Sequence, residues 1–145
     1  MLNVSTGKFI WTFLVGFFFC SNLNWGIAEF ILNDWLQPEL DGFMRTGSLA
    51  GSGANISKMI FGFMIPLFVA AWWYSTTDKP AGWFARAFYT GLMVSFAAWY
   101  GTYTFLSGWG NLNWVPMMVT AFCDTASIVP GTILIAWLQQ LGRKT

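Results

Sequence analysis

"WVPMMVTAFCDTASIVPGTILIAWLQQL", residues 114–141, carries one charged side chain, Asp124, near its middle. As a helix the run exceeds the ~20 residues that cross ~30 Å of hydrocarbon. Three other runs have the same character: 9–32 ("FIWTFLVGFFFCSNLNWGIAEFIL"), 56–74 and 82–106. Backbone N–H and C=O groups in lipid must bond within their own segment, so each run is expected to be a helix. Pro66 and Pro130 fall inside two of them and read as kinks that a neighbouring helix compensates. The fold class expected is therefore all-α: a polytopic membrane protein whose residues 1–145 form a single four-helix transmembrane domain.

Composition points the same way. Of the 145 residues, 56% are hydrophobic and 9% charged, against roughly 25% charged in soluble domains. A chain this short cannot hide so much apolar surface in one aqueous core. The ten tryptophans suit the two membrane interfaces. A net charge of +1 offers no basic surface for nucleic acid. The absence of histidine excludes His-ligated haem, His-containing zinc sites and Ser-His or Cys-His catalytic pairs. Cys20 and Cys123 lie in apolar surroundings, where inert thiols are expected. No cofactor or metal is expected.

The first run is too long for the apolar region of a cleaved signal peptide, and no small-x-small site follows it, so it reads as a retained helix. Between the first two runs, residues 34–45 mix Trp35, Leu36, Leu40, Phe43 and Met44 with Asp34, Glu39, Asp41 and Arg45. That pattern predicts a short interfacial helix in the first extracytoplasmic loop, followed by a Gly/Ser-rich loop. Lys8, Lys79, Arg86, Arg143 and Lys144 fall on one side of a four-span topology, and Arg45 and Lys58 on the other. This split favours both termini in the cytoplasm.

A charged group at mid-membrane costs about 2.5–3.5 kcal/mol on the insertion scale, so Asp124 is expected to face the bundle interior. Thr120, Asp124, Ser127 and Gly131 are spaced four, three and four apart and share a helical face. The first run offers Asn22, Asn24 and, near its outer end, Glu29. One polar cavity is expected to gather Asp124, Glu29, Asn22 and Asn24, with Lys58 and a tyrosine hydroxyl such as that of Tyr103 at its rim. Gly91, Ser95, Ala98 and Thr102 form a stripe of small residues suited to close helix packing. Two readings of the polar set stand side by side: interhelical hydrogen-bonding that holds the bundle together, or a site that titrates or binds a ligand.

Three stretches carry a resemblance: "NWGIAEFILNDWLQPELDGFM" (24–44), "AFYTGLMVSFAAWYGTYTFLSGWG" (87–110) and "MMVTAFCDTASIVPGTIL" (117–134). Together they resemble small bacterial four-helix inner-membrane proteins classed as domains of unknown function. The resemblance implies topology and no activity. The chain departs from that pattern where Asn22 or Asn24 stands in place of an acidic residue, and where Thr104 occupies an often acidic position.

No nucleophile–base pair, metal cluster or phosphate loop supports an enzyme. Two functions remain. One is transport of a small solute or ion through the polar intramembrane site, in a homo-oligomer. The other is a non-catalytic accessory or assembly role in a larger membrane complex. The lipid bilayer is the partner common to both.

Overall fold

A computed structural model describes residues 3–32, 53–77, 82–110 and 113–141, the side chains of 31, 32 and 53–59 excepted. All regular structure among the described residues is helical. Helix α1 spans Thr6–Ile27 and continues into a π-helical turn, Ala28–Leu32. Helix α2 spans Gly53–Thr76. Helix α3 (Trp83–Ser95) passes through a second π turn, Phe96–Tyr100, into α4 (Gly101–Trp109). Helix α5 spans Trp114–Gln140. The four expected runs thus appear as four helical rods, each within a few residues of its expected bounds. The interfacial helix expected over residues 34–45 lies outside the described residues, as do Arg45, Lys79, Arg143 and Lys144.

Local chemistry sets the ends. Ser5 is the N-cap of α1, and its hydroxyl accepts from the Lys8 backbone N–H at 3.3 Å, satisfying one of the donors that every helix start leaves over. At the far end of α5, Lys8 Nζ donates to the Leu141 carbonyl at 2.5 Å, a cation at the negative end of a helix dipole. Helices α2 and α5 continue through Pro66 and Pro130.

Helix α5 is the centre. It packs against α1, α2, α3 and α4. Cross-helix pairs fix the directions. Lys8 meets Leu141, Thr12 meets Gln139, Cys20 meets Ser127 and Asn24 meets Asp124. Each step along α1 is matched by a step back along α5, so the two are antiparallel. Ser75 meets Gln139 and Tyr74 meets Gln140, so α2 ends where α5 ends.

The outer surface is unlike that of a water-soluble bundle. Large apolar groups face outward: Phe30 is 87% exposed and Trp109 85%, with Trp11, Phe18, Trp25 and Phe105 also exposed. The interior holds many small and polar residues, among them Thr12, Ala71, Ser75, Ala87, Ser95, Ser127, Thr132 and Gln139. Soluble monomers rarely expose such contiguous apolar surface, whereas small and hydroxyl residues are the packing currency between helices in lipid. Among the described residues, two segments are long and apolar enough to cross a membrane, Thr6–Phe30 and Trp114–Gln140; a third apolar helix, Ile60–Thr76, is shorter.

The expected small-residue stripe divides in two. Gly91 and Ser95 are buried, with Gly91 set against Val129 and Thr132 of α5. Ala98 is half-buried and Thr102 is exposed. The π turn is the reason. One extra residue in a helical turn rotates everything after it by about 100°, so a face that begins 91, 95 continues as 99, 103 instead of 98, 102. Trp99 and Tyr103 take the positions that Ala98 and Thr102 would have held.

Candidate functional site

Asp124 is 8% exposed and is held by two donors from two other helices. Asn24 Nδ2 of α1 donates to Oδ1 at 2.8 Å, and the Tyr103 hydroxyl of α4 donates to Oδ2 at 2.9 Å. Met117 and Cys123 of α5 are buried at this end of the bundle, with Ile27, Tyr103 and Leu106 packed against them. The Tyr103 ring is fixed by a stack that runs Phe63, Trp99, Tyr103, with centroids 6.2 and 5.8 Å apart and planes within 28° of parallel. Aromatic stacking of this kind adds to the area it buries, so the phenol reaches the carboxylate from a constrained position.

The hydroxyls of α5 do not serve the carboxylate. Thr120 donates to the Pro116 carbonyl at 3.0 Å and Ser127 to the Cys123 carbonyl at 3.1 Å. Thr125 and Thr132 bond back to their own helix in the same way. Such bonds satisfy a hydroxyl locally and take it out of interhelical use. Thr120 and Ser127 therefore lie on the expected face without contributing a ligand. Cys20 Sγ donates to the Ser127 carbonyl at 3.0 Å, and both cysteines are free and buried.

The other expected members fall elsewhere. Asn22 is exposed, and its amide donates to the Phe18 carbonyl of its own helix at 2.7 Å. Residues two apart on a helix point roughly 200° apart, so Asn22 and Asn24 cannot both face Asp124. Glu29 is exposed on the first π turn and is not a partner of Asp124. The Lys58 side chain lies outside the described residues. The single cavity expected around Asp124, Glu29, Asn22 and Asn24 is thus replaced by a compact triad, Asn24–Asp124–Tyr103. Among the described residues no three metal-ligating side chains come together.

Sequence reasoning missed a second polar layer at the opposite end. Gln139, 1% exposed, accepts from the Ser75 hydroxyl at 3.0 Å and donates to Thr12 Oγ1 at 3.4 Å. Gln140 donates to the Tyr74 hydroxyl at 2.9 Å, and the Arg86 guanidinium lies 4.2 Å from the centre of the Tyr74 ring. This layer ties α1, α2, α3 and α5 together. Its signal was present: Gln139 continues the α5 face of Ser127 and Gly131 at steps of four.

Chemically, the triad is a carboxylate with capacity to spare. A carboxylate offers about four lone-pair sites, and Asn24 and Tyr103 occupy two. Both donors are neutral, and the described cations Lys8 and Arg86 engage groups at the other end. Removing one donor tests how the triad contributes to folding. Tyr103→Phe is expected to destabilise the bundle by about 0.6–1.7 kcal/mol, the range of interhelical hydrogen bonds in lipid. Unfolding by SDS titration from mixed micelles would measure it, and an unchanged midpoint would remove the Tyr103–Asp124 bond from the account.

Comparison with protein families, characterised proteins and solved structures finds no match to this chain. The functional reading accordingly rests on the triad and its setting.

Proposed function

We propose that this chain is a four-span protein of the bacterial inner membrane, with both termini cytoplasmic, in which Asp124 binds a proton or small monovalent cation on its way across the bilayer. The resemblance to small four-helix inner-membrane proteins supports the topology, as does the outward-facing aromatic surface. One observation carries the choice of cargo. Asp124 is buried among helices, its two partners are both neutral donors, and acceptor capacity remains on both oxygens. A carboxylate in that setting favours a positively charged guest, because the low dielectric strengthens attraction to a cation and penalises an uncompensated anion. A single carboxylate suits a monovalent ion better than a divalent metal, which draws on several charged ligands. Because α5 fills the middle of the bundle, a continuous path requires a second protomer, and the working form is a homo-oligomer.

The test is flux. Liposomes carrying the purified protein are expected to dissipate an imposed proton, sodium or potassium gradient faster than empty liposomes, with Asp124→Asn as the matched control. Equal rates for protein-containing and empty liposomes with all three ions would sink the proposal.

A further inference from the structure

Two donors on the face that carries Tyr103 have no partner. Ser95 is 0% exposed, and its Oγ meets no hydrogen-bonding atom. Trp99, four residues on, has its indole Nε1 buried and equally unmet. Ser95 is an exception among the buried hydroxyls of this bundle. Thr125, Ser127 and Thr132 each donate to the carbonyl four residues back in their own helix, whereas Ser95 does not. Ser95 immediately precedes the Phe96–Tyr100 π turn. Such turns widen a helix locally and recur at functional sites. Buried polar groups are almost always satisfied, so two unmet donors on one helical face call for a common partner.

We propose that Ser95 Oγ and Trp99 Nε1 together hold one neutral oxygen acceptor, a water molecule, on the bundle side of this π turn. The chemistry selects the guest. An indole N–H only donates, so the guest must accept; a serine hydroxyl does either. Water satisfies both, and two to four polar partners are what a buried water requires. An anion is disfavoured. Trp99 stacks on Tyr103, whose hydroxyl is bonded to the Asp124 carboxylate, so a negative guest would sit near a like charge. The site stands whether or not Asp124 carries an ion. It adds a second polar station on the face that presents Tyr103 to the carboxylate.

The same acceptor chemistry could come from a lipid ester carbonyl, and one experiment separates the two. Protein labelled with ¹⁵N at tryptophan is placed in lipid nanodiscs, and the Trp99 indole N–H resonance is assigned by its loss in Trp99→Phe. If that variant does not fold, through-bond correlation from the Trp99 backbone assigns it instead. The expected result is a direct dipolar cross-peak from the Trp99 indole proton to water, distinguished from chemical exchange by its opposite sign in the rotating frame. In Ser95→Ala the guest loses its second partner, so the indole resonance should move and the cross-peak weaken. A cross-peak to lipid protons in place of water overturns the water assignment. An indole proton that contacts neither, and does not respond to Ser95→Ala, overturns the site.

Discussion

Gly91→Leu is expected to destabilise the bundle by more than about 3 kcal/mol, beyond the ordinary cost of overpacking a core. A Cβ at Gly91 would lie 3.1 Å from Thr132 Oγ1 and 3.1 Å from the Cα of Val129. The second neighbour decides the outcome. A side-chain tip can rotate aside, but a backbone atom of α5 moves only if the whole helix moves. Helix α5 is pinned by α1 on its other flank, where a Cβ on Gly131 would lie 3.1 Å from both Cβ and Sγ of Cys20. Gly91→Ala already forces α3 away by a few tenths of an ångström, at about 1–3 kcal/mol, and a leucine adds three carbons where there is room for none. Gly101 supplies the control. It lies on the same rod but is exposed, and a Cβ there meets nothing within 4 Å, so Gly101→Ala should leave stability unchanged. SDS-titration midpoints of the two variants should diverge widely. Equal midpoints would mean that α3 and α5 do not pack as described.

The contrast between Gly91 and Gly101 also marks how far the sequence could be read. Rod number, approximate bounds and the inward face of α5 follow from apolar run length and from the spacing of Asp124, Ser127 and Gly131, because the 3.6-residue period alone fixes them. An asparagine of α1, Asn22 or Asn24, was legible as a partner of Asp124, since antiparallel neighbours bring that stretch and Asp124 to one level. Two things were not legible, and a third was legible in the spacing but overlooked. The π turn at Phe96–Tyr100 has no compositional signature in "FAAWY", yet it shifts the inward face from Ala98 and Thr102 to Trp99 and Tyr103. Choosing between Asn22 and Asn24 required the rotation of α1 about its axis, which the crowding of Gly16 against Ile135 and of Cys20 against Gly131 helps set. The Gln139 layer was overlooked because a glutamine near the end of an apolar run reads as an interface residue until its partners on α1 and α2 are known.

Asp124→Asn is expected to abolish ion movement while leaving the fold in place, and the separation of those two effects distinguishes a site from a structural brace. An asparagine at 124 keeps both contacts: its carbonyl oxygen accepts from Asn24, and its amide donates to the Tyr103 hydroxyl oxygen, which then accepts instead of donating. The fold therefore loses little, about 1 kcal/mol or less on the scale of interhelical bonds in lipid. What the variant removes is the charge. An amide takes up no proton in the physiological range, so proton binding is lost outright; bonds to ionised groups contribute about 1.5–3 kcal/mol, so affinity for a monovalent cation should fall about 10- to 150-fold. Asp124→Leu behaves differently, because it leaves the Asn24 amide and the Tyr103 hydroxyl without their acceptor and should cost about 1–3 kcal/mol in stability as well. A brace predicts that flux, if any, tracks stability across the series: Asp124→Asn near the parent and Asp124→Leu low. A binding carboxylate predicts both variants at the level of empty liposomes, although only Asp124→Leu unfolds more readily. Flux retained in a stable Asp124→Asn protein would reduce Asp124 to holding α1, α4 and α5 together.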